Sequence, residues 1–136
     1  MTTFLKNIRK HIDGLSYGKL SRMSGYDAGT ISYIIKGITQ PRLNTAFCLA
    51  QCLGVSLDDL VEWVGCRYYC ESNFSNERFK KVRKIKGKSI KALYKETGVK
   101  ENTIWRFETG RNDMSLENAI KLAKALDFSL DWLCGR

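Results

Sequence analysis

The sequence predicts an all-α fold made of two tandem five-helix units. An internal repeat, apolar residues at helical spacing, and helix-capping residues at matching places in both copies support this prediction. Moving the chain by 73 residues aligns 16–60 with 89–133 without a gap, and 15 of the 45 aligned positions are identical. Chance would give about two or three identities, so the two segments are expected to share one fold.

The repeat also divides the chain. We place an N-terminal unit at residues 1–64, a linker at 65–75 and a C-terminal unit at 76–136. The linker is too rich in aromatic residues for a freely mobile connection. It is therefore expected to pack against one of the units or against a partner.

The first three helices of the C-terminal unit follow from apolar spacing and capping residues. Phe79, Val82 and Ile85 recur every three residues, which predicts the inner face of a first helix. Ser89 is expected to cap a second helix, because its hydroxyl group can accept a bond from a free backbone N–H group of the first turn. The spacing predicts a third helix over about 101–108.

The remaining helices are predicted in the same way. Ser115 and Ser129 are expected to cap the fourth and fifth helices of the C-terminal unit. The corresponding caps in the N-terminal unit are predicted to be Ser16, Asp27, Asn44 and Ser56. No segment shows the alternating pattern of a strand, so no sheet is expected.

Charge indicates the chemical class of the partner. The chain carries a formal net charge of +9. Residues 1–65 hold seven Lys and Arg against five Asp and Glu, whereas residues 66–136 hold sixteen against nine. A basic half of this kind favours a polyanion, most often nucleic acid, over a merely solvated surface.

The sequence argues against secretion and membrane insertion. Lys6, Arg9 and Lys10 interrupt the N-terminal segment, which therefore does not resemble a signal peptide. No stretch approaches the roughly 18 apolar residues of a membrane span. The protein is expected in the cytoplasm, without a membrane partner.

Catalysis, metal binding and a cofactor are not expected. The five cysteines are predicted to be reduced, and their i,i+4 pairs (Cys48 with Cys52, Cys66 with Cys70) lack the tight C-x2-C spacing common in zinc sites. The single histidine, His11, has no nucleophile motif nearby and is interpreted as a surface residue. There is no glycine-rich loop that would cradle a phosphate, so an enzyme is disfavoured.

A short helix, a glycine turn and a second short helix form the parts of a helix-turn-helix. In the C-terminal unit the ordered motifs are Phe79-x-x-Val-Arg83, Gly87-x-Ser89, Leu93, Gly98-Val99, Thr103-Ile104, Glu108-x-Gly110 and Leu122-Ala-x-Ala-Leu126. The N-terminal unit shows a reduced version, with Gly14-x-Ser16, Leu20, Gly25, Thr30-Ile31-Ser32, Gly37 and Leu49-Ala50. This ordered set, found twice, resembles the lambda-repressor/Cro-like (XRE-type) helix-turn-helix family.

The resemblance implies a set of DNA-binding residues, mostly at the starts of the second and third helices. In the N-terminal unit they are Ser16, Tyr17, Asp27, Ala28, Gly29, Thr30, Ser32, Tyr33 and Lys36. In the C-terminal unit they are Lys88, Ser89, Lys91, Lys100, Glu101, Asn102, Thr103, Trp105, Arg106 and Arg111. Asn102 could pair with adenine and Arg106 with guanine.

The two units depart from the family pattern to different degrees. Tyr17 and Ile90 stand where the family often has a glutamine that reaches DNA. Arg83 and Glu108 match a pair for which a structural ion pair is the simplest role, whereas the N-terminal unit has Ile35 at the glutamate position. The N-terminal unit is therefore interpreted as further from DNA-reading chemistry.

A dense basic run covers the first helix of the C-terminal unit and the start of the second. Its members are Arg78, Lys80, Lys81, Arg83, Lys84, Lys86, Lys88 and Lys91. Contacts with DNA phosphates would explain the density, because neutralising phosphates releases counterions. The alternative is a solvated surface without a partner.

Together these features predict a sequence-specific DNA-binding transcriptional regulator, a repressor of a phage, a mobile element or its own operon. The two units could supply a two-fold pair of readers internally, or the chain could form a homodimer. The alternative is a protein-binding module, an antitoxin or inhibitor, that uses Tyr33, Trp63, Tyr68 and Tyr69 as anchors. RNA binding also stays open.

Overall fold

The computed structural model describes the backbone of residues 2–135 and the side chains of residues 3–135. Within that range the chain forms α-helices and two isolated bridges but no β-strand, which confirms the all-α prediction. The first five helices are α1 Thr2–His11, α2 Tyr17–Ser24, α3 Ala28–Ile35, α4 Leu43–Cys52 and α5 Leu57–Val61. The next five are α6 Ser75–Ile85, α7 Ile90–Thr97, α8 Glu101–Glu108, α9 Leu116–Leu126 and α10 Leu130–Leu133.

None of the helices in this described range is long and apolar enough to cross a membrane.

Side-chain caps start six of the helices where the sequence predicted them. In each case the capping oxygen accepts a hydrogen bond from the backbone nitrogen three residues further on, which satisfies an N–H group that the helix itself leaves unpaired. The caps are Ser16, Asp27, Ser56, Ser89, Ser115 and Ser129.

Two local predictions are wrong. Asn44 does not cap α4, because the helix begins one residue earlier and Asp113 of the C-terminal unit accepts the Asn44 backbone N–H group at 3.1 Å. Ile85 does not lie on the inner face of α6, since its side chain is 53% exposed. At about 100° per residue, a position six residues after Phe79 has rotated roughly 120° away from it.

Each unit buries apolar residues of its own helices, and those of the two units join in one hydrophobic core. Phe4, Ile8, Leu20, Ile31 and Leu49 are fully or almost fully buried in the N-terminal unit. In the C-terminal unit Phe79, Val82, Leu93, Ile104 and Leu122 are buried in the same way. This packing fixes each pair of short helices against its neighbours and leaves the outer face of each third helix exposed.

The start of the linker is bound to the C-terminal unit. The Trp63 indole nitrogen donates to the Phe128 carbonyl oxygen at 2.8 Å, and the Ser129 backbone N–H group donates to the Cys66 carbonyl oxygen at 2.8 Å. The Tyr68 hydroxyl group donates to the Asp127 carbonyl oxygen at 2.8 Å. These bonds bring the two units together, with α4 against α9 and α5 against α10.

Candidate nucleic-acid interface

Helices α7 and α8 form a helix-turn-helix. Ser89 begins the first helix, and Gly98 ends it with a φ of 79°, a left-handed conformation that costs glycine little because it has no Cβ. Val99, the residue after that glycine, is buried and anchors the turn. Helix α8 then packs against α7 and α6.

The outer face of α8 carries the base-reading candidates. Ile104 and Phe107 point into the core, and the helical repeat therefore turns the intervening positions outward. The exposed residues are Lys100, Glu101, Asn102, Trp105 and Arg106, and Thr103 is partly exposed. The structure thus places six of the ten side chains that the sequence singled out in this unit on the outer surface of α8.

An aromatic and a cationic side chain pair at the end of α8. The Arg111 guanidinium carbon lies 5.0 Å from the centre of the Trp105 ring, within the range of a cation–π contact. The Trp105 ring is 43% exposed. The ring restricts the position of the guanidinium group. The N–H groups of Arg111 that point away from the ring stay available to an anionic oxygen.

The start of α7 contributes less than the sequence suggested. Ser89 uses its hydroxyl oxygen as the helix cap, accepting from the Ala92 nitrogen at 3.0 Å. The Lys88 ammonium group lies 2.8 Å from a Glu96 carboxylate oxygen and 3.1 Å from the Ala125 carbonyl oxygen, so it is engaged within the chain. Lys91 is exposed.

The start of α3 presents different chemistry. The Asp27 carboxylate accepts from the Thr30 backbone nitrogen at 2.7 Å and from the Thr30 hydroxyl group at 2.9 Å. The Thr30 backbone N–H bond lowers the pKa of Asp27, and the carboxylate occupies the helix N-terminus where an anion would otherwise bind. Ala28 and Gly29 are exposed but offer no polar side-chain atom.

Some of the other candidates of the N-terminal unit cap a helix or pack against the core, and the rest are exposed to solvent. The Ser16 hydroxyl oxygen caps α2 by accepting from the Lys19 nitrogen at 3.1 Å, and Tyr17 packs partly buried against the core. Ser32 is partly buried. Tyr33, 54% exposed, and the exposed Lys36 face solvent at the end of α3.

The basic run separates into internal and exposed members. The phosphate-binding prediction is wrong for Arg78, because this side chain is buried. Its guanidinium group donates to the Ser72 and Trp132 carbonyl oxygens and lies over the Trp132 ring. Lys81 and Lys86 lie over Tyr69 and Tyr68 at 5.2 and 5.7 Å from the ring centres. Lys80, Lys84 and Lys91 are exposed.

The ion pair expected in the C-terminal unit is present. The Arg83 Nε atom lies 2.7 Å from Glu108 Oε1, and both side chains are largely buried. In the N-terminal unit, where Ile35 replaces the glutamate, Arg9 Nε donates instead to the Ile35 carbonyl oxygen at 2.9 Å. Both arginines are therefore held by the third helix, but only Arg83 is neutralised by a carboxylate.

Sequence reasoning missed the residues that join the units. Asp58 and Asp131 each accept backbone N–H groups of the other unit. Their identity at equivalent repeat positions was a signal that could have identified them. Asp113, which accepts the Asn44 N–H group, had no such signal because Gln40 is its repeat partner.

No three His, Cys, Asp or Glu side chains lie close enough to hold a metal ion in residues 2–135.

The chain is similar to a known protein family and to a phage repressor. The sequence model of the family described as "Helix-turn-helix" matches twice, at residues 5–60 and 79–133. Over 60 residues, the chain is 35% identical to the "Cryptic phage CTXphi transcriptional repressor RstR" of Vibrio cholerae. That match covers 44% of this chain and 54% of the repressor, so it spans about half the length of that relative.

No solved structure gives a significant match to this chain. The two family matches nevertheless cover most of its length and coincide with the two sets of five helices. The chain therefore belongs to the lambda-repressor/Cro-like helix-turn-helix family, in two tandem copies.

Proposed function

We propose that this protein is a sequence-specific DNA-binding transcriptional repressor whose C-terminal unit reads bases through α8. The observation that carries the proposal is the exposed face of α8, where Asn102 and Arg106 lie beside the paired Trp105 and Arg111. A helix of this kind fits the major groove of B-DNA and presents its side chains to base edges.

Spacing on α8 supports base reading. Asn102 and Arg106 are four residues apart, so they lie on the same face one turn from each other. An amide can bond the N6 and N7 atoms of adenine, and a guanidinium group can bond the O6 and N7 atoms of guanine. Each such pair is worth about 1–3 kcal/mol of discrimination against a wrong base.

Charge supports phosphate contact around that helix. Lys91 and Lys100 are exposed on the helix-turn-helix, and Lys80 and Lys84 are exposed on α6. Cations near a groove-bound helix position the protein on the phosphates without carrying sequence information. We therefore assign affinity and specificity to different side chains of the C-terminal unit.

The N-terminal unit is assigned a weaker contact with DNA. Asp27 places a carboxylate at the start of α3, which repels phosphate and leaves Tyr33 and Lys36 as the exposed polar candidates. We assign this unit contacts with the DNA backbone and a fit to the shape of the DNA more than contacts with bases.

Repression is proposed because the relative is a phage transcriptional repressor. The target is a promoter of a phage, of a mobile element or of this protein's own operon, and the site of action is the cytoplasm. The family is built for binding, and we propose no catalytic activity.

The protein-binding alternative has less support. Two of the four aromatic residues considered as anchors, Trp63 and Tyr68, donate side-chain hydrogen bonds to carbonyl oxygens of this chain. Tyr69 is 78% exposed but lies under the Lys81 ammonium group. Of the four residues, only Tyr33 and Tyr69 are exposed enough to fill a pocket on a partner.

Footprinting on the DNA upstream of the protein's own gene tests the proposal. At about 150 mM salt, the wild type is expected to protect a short repeat. The double variant Asn102→Ala, Arg106→Ala is expected to lose that protection, because two base contacts disappear. Lys121→Ala, an exposed cation on α9, is the control for the loss of one positive charge.

Sequence-independent binding by the wild type, or equal weakening by the control, would contradict base reading by α8. Absence of any DNA binding would reject the proposal on that DNA. Salt dependence separates the alternatives further, since affinity for DNA falls steeply with salt and affinity for an apolar protein surface does not.

A further inference from the structure

The two units exchange backbone hydrogen bonds in both directions. The Leu43 N–H group donates to the Met114 carbonyl oxygen at 2.8 Å, and the Leu116 N–H group donates to the Pro41 carbonyl oxygen at 3.0 Å. Residues 43 and 116 are equivalent in the repeat, and so are 41 and 114. The second bond is therefore the first bond with the two units interchanged.

A second pair of contacts has the same reciprocity. Asp58 accepts from the Leu130 backbone N–H group at 2.7 Å, and Asp131 accepts from the Leu57 N–H group at 3.0 Å. Again the donors are repeat equivalents of each other, and so are the acceptors. Each carboxylate thus satisfies the first turn of the short helix in the opposite unit.

Reciprocal contacts of this kind define an approximate two-fold axis. When residue i of one unit contacts residue j of the other and j also contacts i, the interface is isologous, as in a symmetric dimer. A tandem array would instead join unlike surfaces. Here the two-fold relation is built inside one chain.

The same axis relates the two third helices. Arg42 and Ser115 face each other in an antiparallel bridge beside the axis. They lie in the segments that directly follow α3 and α8, so these helices flank the axis as an equivalent pair. Two recognition helices related by a two-fold axis match the two-fold symmetry of an inverted repeat in DNA.

The two members of the pair carry unequal chemistry. Helix α8 presents Asn102, Trp105 and Arg106, whereas α3 presents Ala28 and Gly29 behind the Asp27 cap. Two-fold placement with unequal readers fits a DNA site whose halves are inverted in position but different in sequence requirement.

We infer that one copy of this chain binds a complete operator as a covalent pseudo-dimer, with α8 on a strongly specified half-site and α3 on a weakly specified one. The inference rests on the proposed DNA-binding function. It further specifies the partner as an asymmetric inverted repeat occupied by a single chain.

Stoichiometry and spacing test the inference on the duplex found by footprinting. Native mass spectrometry of wild-type protein with that duplex is expected to give one chain per duplex. Hydroxyl-radical cleavage is expected to show two protected patches centred about 10 base pairs apart. Inserting about five base pairs between them rotates the second half-site to the opposite face and is expected to weaken binding about tenfold.

A double variant of α3 and its end assigns the weak half-site. Tyr33→Ala with Lys36→Ala should remove the protection of the weak half-site and the sensitivity to the insertion, and leave protection of the other half unchanged. This variant alters only exposed side chains of α3 and its end, so folding is preserved.

Two chains per duplex, protection of one patch alone, or an affinity that the insertion does not change would overturn the inference. Each of these outcomes still includes specific DNA binding, so the proposed function would stand. Failure to bind any DNA sequence specifically would instead reject the proposed function, and this inference with it.

Discussion

Arg83 and Glu108 form an ion pair at 2.7 Å between α6 and α8, with both side chains largely withdrawn from solvent. Arg83 also donates to the Lys88 carbonyl oxygen at 3.0 Å. The pair therefore connects α6, the turn after it and α8 of the C-terminal unit. Glu108 neutralises the charge of Arg83, whereas Arg9 of the N-terminal unit donates to a backbone carbonyl oxygen instead.

Removing Glu108 is predicted to destabilise the fold. Glu108→Ala leaves the Arg83 guanidinium group buried without a counter-charge, and breaking a buried pair in this way typically costs about 3–5 kcal/mol. Urea unfolding followed by circular dichroism measures the change. Glu96→Ala, which removes the partner of Lys88 at a more exposed site, is the control and should cost about 1 kcal/mol or less. Equal losses in the two variants would contradict a special role for the buried pair.

Gly65 is predicted to tolerate no side chain. A Cβ atom there would overlap the Phe128 carbonyl group and lie 2.6 Å from the Ser129 nitrogen. Gly65→Ala should therefore force the linker away from the C-terminal unit and cost about 1–3 kcal/mol, as other overpacked sites do. Thermal unfolding measures it.

Gly18→Ala is the matched control for that experiment. Gly18 lies in α2, where the nearest atom to an added Cβ, the Ser16 hydroxyl oxygen, is 4.0 Å away. Replacing a helical glycine by alanine should stabilise the chain by up to about 1 kcal/mol. If Gly65→Ala unfolds at the wild-type temperature, the linker is not packed as described.

Exposed cations on the helix-turn-helix and on α9 are predicted to differ in their effect on the salt dependence of DNA binding. Lys91→Ala removes a phosphate-contact candidate and should reduce the slope of log affinity against log salt by about 1. Lys124→Ala, on α9, is the charge-matched control and should leave the slope unchanged. Fluorescence anisotropy at several salt concentrations measures both, and equal slopes for wild type and Lys91→Ala would remove this residue from the interface.

The pH dependence of stability is predicted from Asp58. Burial raises the pKa of this carboxyl group above its ordinary value of 3.8, and the nearby Asp131 raises it further. The folded chain then holds the proton over a pH range in which the unfolded chain has lost it. The stability that this group contributes is full below about pH 3.8 and declines as pH rises through the raised folded-state pKa.

Comparison with Asp58→Asn isolates that effect. The difference in unfolding free energy, wild type minus variant, should fall as pH rises from about 3.8 upward. Asp59→Asn, at an exposed position one residue away, supplies the baseline for general changes in charge. A difference that stays level or increases over that range would contradict the raised pKa.

Local signals in the sequence predicted most of the fold. Ser16, Ser89, Ser115 and Ser129 cap their helices because capping depends on residues only three positions apart. The Asn44 prediction was wrong because the bond that begins α4 comes from Asp113, 69 residues away in the chain. Contacts of that range leave no local pattern.

The sequence was enough to predict which face of α8 is exposed, but not which cations around it are exposed. The exposed face of α8 follows from the spacing of Ile104 and Phe107. Charge alone could not distinguish Arg78, which is buried against Trp132, from the exposed Lys84. Burial of a guanidinium group depends on the carbonyl oxygens that the folded chain brings to it, and these lie outside the basic run.

The reciprocal carboxylate caps have a consequence for folding. Helices α5 and α10 are only five and four residues long, which is too short for a helix to persist alone. The first residue of each helix donates its backbone N–H group to a carboxylate of the opposite unit. Unfolding of either unit removes the cap from the other. The two halves should therefore melt in one cooperative transition, in which the folded N-terminal unit stabilises the C-terminal unit.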